Sequence, residues 1–196
     1  MGLMRVAERI PLTRRHRLTV EDFHRMGEAG ILRGDARVEL IEGELVDMPP
    51  IGSEHAGAVR ILIHLLTRAV GELAIVDAQN PVVLSENSEP QPDIMVLKPR
   101  RDFYTRSHPR PDDVLLLIEV ADTSASYDRT VKIPLYAHYG IPEVWLLDLP
   151  QKRLEVYRTP HAEHTTYQHA EQHLDGTVSP ALLPSVVIDV ANLFIS

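Results

Sequence analysis

The spacing of apolar positions changes several times along the chain, and each change marks an element. Over residues 53–73, Val59, Leu62, Ile63, Leu66, Ala69, Val70 and Leu73 recur at three- and four-residue intervals. That period predicts an amphipathic helix of roughly four to five turns, with Ser53 placed to cap it. Upstream, "LTVEDFHRMGEAGIL" predicts a shorter helix, capped by Thr19 with Asp22 three residues on and stopped by Gly30. Between the two, "RVELIEGELVDM" reads as a hairpin, with Val38, Leu40, Leu45 and Val46 in the strands and Glu42-Gly43 in the turn.

Downstream the pattern becomes strand-like in "AIVDAQNPVVLS", "DIMVLK" and "DVLLLIEV", and a proline- and arginine-rich loop over residues 99–112 separates the last two. A second helix is expected around "RTVKIPLYAHYG". Its Pro134 either kinks the helix or marks its first turn, and Gly140 and Pro142 end it. "PEVWLLDL" is apolar on both sides, as an internal strand requires. "RLEVYRT" returns from it through Pro150-Gln151, and a weaker strand around "TTYQHA" and the segment "SVVIDVANLF" close the chain. This order predicts an α/β or α+β domain, a mixed sheet flanked by helices. It spans residues 18–196 and follows a short N-terminal extension, residues 1–17.

Composition narrows the chemistry. The 196 residues contain no cysteine, which excludes disulfides, thiolate catalysis and cysteine-ligated zinc. Hydrophobic and charged fractions of 44% and 24% are those of a soluble globular protein. No apolar run approaches the ~20 residues that cross a bilayer, and the N-terminus lacks the apolar block of a signal peptide, so a cytoplasmic location without membrane association is expected. A net charge of −8 argues against a generally basic nucleic-acid surface. Two local basic clusters remain: Arg14, Arg15, His16 and Arg17, and Lys98, Arg100, Arg101, Arg106 and Arg110. The histidines show no metal-binding spacing.

Two carboxylates stand at strand ends. Asp93 opens "DIMVLK" directly after Pro92, and Glu119 closes the strongly apolar "LLLIEV". If those strands are neighbours, the two carboxylates and a backbone carbonyl form a hard oxygen site suited to Mg2+, with Mn2+ as an alternative. Such an ion polarises a phosphodiester and activates water. Position 121, where a lysine would complete a familiar acidic–basic signature, holds Ala121; the next lysine is Lys132.

Pro92-Asp93, Glu119-Val120, Asp128, Lys132, Tyr136, Gly140 and Trp145-Leu146-Leu147-Asp148 together resemble the Uma-two family of restriction-endonuclease-like proteins, within the PD-(D/E)XK nuclease superfamily. "LTVEDF", "ELIEGELVDMPP" and "LPSVVIDVANLF" follow the same layout, so the resemblance covers about residues 18–195. It implies a restriction-endonuclease-like fold and Mg-dependent hydrolysis of DNA. Asp93 and Glu119 would be metal ligands with the carbonyl of Val120, and Lys132 a catalytic lysine that has migrated onto the following helix. The superfamily's early ligand would fall in the first hairpin or at the start of the long helix, with Glu39, Glu44 and His55 as candidates and Asp128 and Tyr136 as supporting residues. Family members that form dimers would suit a nuclease cutting two strands.

Each residue also has a plainer role. Asp93 could be a turn carboxylate, Lys132 the partner of Asp128 in a helical ion pair, Glu39 and Glu44 a solvated strand face, and Tyr136 a core residue. The alternative to an enzyme is a catalytically inactive module that keeps the nuclease fold and binds nucleic acid or a protein.

Overall fold

The computed structural model describes residues 16–194; the expected N-terminal extension, apart from its last two residues, lies outside them, as do Arg14 and Arg15. Helix α1 (Val20–Glu28) has the expected capping box: Thr19 Oγ1 accepts from the Asp22 amide at 3.1 Å, and Asp22 Oδ2 accepts from the Thr19 amide at 3.0 Å. Strands β1 (Val38–Ile41) and β2 (Glu44–Asp47) form the hairpin. Its turn residues, Glu42 and Gly43, both have positive φ (49° and 79°), the geometry that matches the twist of a two-residue hairpin. A side chain at Gly43 would also strike Arg17, whose Cβ would lie 2.5 Å from the added carbon.

Helix α2 runs from Ser53 to Val70 and buries Ala58, Val59, Leu62, Leu66 and Val70. Its cap differs from expectation. Ser53 is the first helical residue rather than the cap, and Gly52 caps with its backbone alone, its carbonyl accepting from the Ala56 amide at 3.0 Å.

A six-stranded sheet in the order β3-β4-β5-β6-β7-β8 carries the rest: β3 (Ile75–Ala78), β4 (Ile94–Leu97), β5 (Val114–Ala121), β6 (Glu143–Asp148), β7 (Arg153–His161) and β8 (Thr166–His173). All neighbours are antiparallel except β5 and β6, which are parallel and joined by a helical crossover. The expected strand "AIVDAQNPVVLS" stops at Ala78, because Gln79 turns to φ 54° and Pro81 cannot donate to a ladder. The "SVVIDVANLF" segment gives only a two-residue strand, β10 (Ile188–Asp189), paired with β9 (Thr177–Val178), and then a 3₁₀ turn, Val190–Leu193.

Both faces of the sheet are covered, so its central strands read as unbroken apolar runs. Leu116, Ile118 and Val120 of β5 pack with α2 and the C-terminal segment. Leu117 and Ala121 face the opposite side, with Met95, Tyr136 and Ile41. By the two-residue period of a strand, Glu119 belongs to this second face, the one covered by the crossover helix.

That crossover resolves the question raised by Pro134. Helix α3 (Ala125–Tyr127), a π turn (Asp128–Lys132) and α4 (Ile133–His138) follow one another without a break. Pro134 has no N–H to offer Thr130 in an α-helical bond. The turn before it widens, and the Ile133 amide donates to the Asp128 carbonyl five residues back. Arg129 anchors this turn to the sheet: its guanidinium bonds Asp148 and reaches Glu155 at 2.8 and 3.1 Å. Among the described residues no helix is long and apolar enough to cross a membrane.

Glu143 tests how the sheet closes on the C-terminal segment. It is fully buried, accepting from Trp145 Nε1 at 2.6 Å, Arg158 Nε at 3.1 Å and the Ala181 amide at 2.6 Å. Glu143→Ala leaves the Trp145 and Ala181 N–H groups without their acceptor and takes the nearer carboxylate from Arg158, which keeps Glu171 at 3.5 Å. We expect it to lower the unfolding free energy by about 3–5 kcal/mol in urea denaturation; a loss below about 1 kcal/mol would show that the network adds little.

Candidate active site

Five ionisable side chains with almost no solvent exposure meet in one pocket: Glu39 (2% exposed), Asp93 (8%), Glu119 (3%), Asp128 (3%) and Lys132 (5%). The cavity has a volume of about 260 Å³. Each residue arrives on a different piece of chain. Glu39 comes from β1, Asp93 from the residue before β4, Glu119 from the end of β5, and Asp128 and Lys132 from the π turn. The pairing of Ile94 with Ile118 makes β4 and β5 neighbours, which draws Asp93 to the Glu119-Val120 end of β5.

Lys132 is the hub. Its Nζ donates to Glu39 Oε1 at 2.9 Å and to Glu119 Oε1 at 3.1 Å. Tyr136, one helical turn on, donates its hydroxyl to the same Glu119 oxygen at 2.5 Å. Glu39 is held in turn by the Gln91 amide at 2.7 Å. Asp93 Oδ2 accepts from the Val120 amide at 2.9 Å and from His55 Nε2 at 3.0 Å, and Gln79 reaches Oδ1 only at 3.4 Å. His55 sits in the first turn of α2, and its Nδ1 is buried without a partner.

The electrostatics follow from four carboxylates facing one ammonium. Burial, followed by the charges of Asp93, Asp128 and Glu39, pushes the Glu119 carboxyl far above the usual carboxylate range, with Lys132 pulling the other way. Burial opposes the charge on Lys132, but Glu119 and Glu39 outweigh it and keep the amine protonated. Asp128 is also raised by burial, against the bond it accepts from Ser124 at 2.6 Å.

The structure therefore brings together Asp93, Glu119, Val120, Lys132, Glu39, His55 and Asp128 around the pocket, with Tyr136 behind Glu119. Glu44 is not among them; it lies exposed on β2, opposite Ile41. Asp128 forms no ion pair with Lys132. The π turn breaks the ordinary four-residue register between them, and Glu39 and Glu119 take the amine instead. The basic loop, residues 99–112, does not line the pocket, and its Arg100 pairs with Asp102 at 2.6 Å and stacks on Tyr104.

Several lining residues escape a sequence reading. Gln91 gives its amide to Glu39 and its side chain to the Gln79 carbonyl, and its one sequence cue is its place beside Pro92-Asp93. Tyr127 stands out only as the one aromatic residue in the polar stretch "DTSASYD". The wall formed by Met48, Pro49, Pro50 and Ile51 follows from the way the hairpin folds over the site.

Among the described residues no group of three or more His, Asp or Glu side chains is arranged to hold a metal ion by itself. On the two strand-end carboxylates, Glu119 Oε2 accepts no hydrogen bond and Asp93 Oδ1 meets only Gln79 at 3.4 Å, since the closer contacts fall on their other oxygens. Two carboxylate oxygens beside a surplus of negative charge fit Mg2+, which keeps much of its water shell. They do not fit a zinc-type cage.

In fold, the protein is similar to a solved structure from Anabaena variabilis described as a "putative nuclease belonging to DUF820", with a TM-score of 0.67 at 18% identity, covering 90% of this chain and 97% of that one. No curated protein matches the chain. The sequence model of the Uma2 family, described as "Putative restriction endonuclease", matches residues 20–191, from the first residue of α1 into the last 3₁₀ turn. The chain belongs to the Uma2 family.

Proposed function

We propose that this chain is a metal-dependent endonuclease that hydrolyses DNA phosphodiester bonds at the Asp93–Glu119–Lys132 pocket. The position of Lys132 carries the reading. Thirteen residues beyond Glu119, its amine lies inside the pocket, bonded to Glu119 and Glu39. A surface lysine would have no reason to accept that burial.

Asp93 and Glu119 would hold Mg2+ or Mn2+, with the Val120 carbonyl as a third oxygen. When bound, the cation supplies Lewis-acid polarisation of the phosphodiester and a counter-charge for the leaving oxygen. In the hydrolysis, a water gives up a proton to solvent as its oxygen bonds to phosphorus, the bond to the leaving sugar oxygen breaks, and that oxygen takes up a proton from solvent. Lys132 contributes a fixed positive charge where negative charge builds on the phosphoryl oxygens. Glu39 and Tyr136 position it, the first by bonding the amine, the second by orienting Glu119.

One feature favours the competing reading of an inactive module: burial raises the Glu119 carboxyl and so favours its neutral form, and Lys132 is already paired with Glu39 and Glu119, which lessens the pocket's demand for a cation.

Asp93→Asn, Glu119→Gln and Lys132→Met should each lower Mg-dependent cleavage of plasmid DNA on the order of 100-fold while the circular dichroism spectrum stays unchanged. Equal rates in all three variants and the parent would assign the cleavage to a contaminant. A second expectation concerns pH. Proton and cation compete for Glu119, whose carboxyl is raised to about 8. Below that pH the folded protein must release a proton to bind the ion, so affinity for Mn2+ should rise roughly tenfold per pH unit and level off above it. Calorimetric titration between pH 6 and about 9 measures the slope, and Glu119→Gln should abolish it. A flat profile in the parent chain would remove Glu119 from the ligand set.

A further inference from the structure

Two buried polar atoms in the pocket have no partner in the free protein, His55 Nδ1 and the Tyr127 hydroxyl. With His55 Nε2 donating to Asp93, the neutral ring has no second N–H, and the hydroxyl is the one that carries a hydrogen. The Tyr127 hydroxyl is shielded from solvent and bonds to nothing, although an unpartnered buried hydroxyl is unfavourable. It is not remote from the chemistry. Tyr127 ends α3 immediately before the π turn that carries Asp128 and Lys132, and it lines the same cavity. Burial is the main influence raising its hydroxyl, helped by the charges of Glu39, Asp128 and Glu119 and opposed by Lys132; the hydroxyl stays a donor.

The other buried donors of the pocket are committed. Lys132 serves Glu39 and Glu119, Ser124 serves Asp128, the Gln91 side chain serves the Gln79 carbonyl, and His55 Nε2 serves Asp93. A phosphodiester entering here meets a ring of carboxylates and needs donors for its two non-bridging oxygens. Tyr127 is a buried side-chain donor that makes no hydrogen bond at all, so its hydrogen is free to give.

We propose that the Tyr127 hydroxyl donates a hydrogen bond to a non-bridging oxygen of the scissile phosphodiester and so positions it against the Asp93–Glu119–Lys132 group. This rests on the nuclease reading above. It makes Tyr127 a substrate-contacting residue that no carboxylate–lysine signature contains.

The test compares Tyr127→Phe with the parent chain on an oligonucleotide carrying one cleavable phosphate, as the oxygen form and as each of the two phosphorothioate diastereomers. Sulfur is a poor acceptor, so replacing the contacted oxygen mimics loss of the hydroxyl. Tyr127→Phe should lower kcat on the oxygen substrate roughly 10- to 100-fold with KM changed by less than about twofold. For one diastereomer the penalty of sulfur should shrink by the same factor, while for the other it should be equal in both proteins. Effects of sulfur on the cation are common to both proteins and cancel in this ratio. The melting temperature should hold or rise, since an unpaired hydroxyl has been removed. Parental kcat in Tyr127→Phe, or sulfur penalties identical in the two proteins, would overturn the assignment and leave the nuclease reading intact. Absence of cleavage by the parent chain itself would overturn both.

Discussion

Everything at the centre of this protein depends on burying one ammonium. Lys132 is 5% exposed, and a buried charge is tolerated only when it is paired and hydrogen-bonded. Its two partners lie on separate elements: Glu39 on the hairpin and Glu119 on the central strand. Satisfying the amine therefore fastens hairpin, sheet and crossover helix to one another. Removing any partner would leave a stranded charge in the interior, so the three elements hold a single arrangement.

The helix meets this demand by departing from regular geometry. Pro134 prevents an ordinary α-helical bond, and the preceding turn opens into a π turn. Such turns shift the phase of every side chain beyond them and recur at functional sites. Here Lys132 is released from Asp128, its apparent helical partner, and given to Glu39 and Glu119. Arg129, in the same turn, points the other way and locks it to Asp148 and Glu155. Neighbouring residues of one turn thus serve the pocket and the sheet.

The pocket is left with more negative charge than it can neutralise. Burial and the neighbouring carboxylates raise the Glu119 carboxyl, and one oxygen each of Glu119 and Asp93 is left with no donor or only a long contact to Gln79. Under the proposed function, loss of a proton from Glu119 and capture of a cation would be the same event seen from two sides. The basic loop, residues 99–112, lies outside the pocket, in a chain whose net charge is −8.

Much of this was legible in the chain itself. The period of α2, the capping box at Thr19, the Glu42-Gly43 turn and the apolar runs of β5 and β6 are local, and local propensity and burial set them. Asp93 and Glu119 could be picked out because a carboxylate at the end of an apolar strand needs a reason to be there. The partner of Lys132 could not be read from spacing: Asp128 is four residues away, while Glu39 is separated from it by 93. Nor could the choice between Glu39 and Glu44, which look alike along the hairpin until one face of it is closed over the pocket. The missing cap at Ser53 and the open hydroxyl of Tyr127 belong to the same class. Sequence determined which segments form elements and which side chains are costly to bury. Only the tertiary structure decided which of them meet, because pairing across the fold depends on the facing of strands and the phase of one distorted turn.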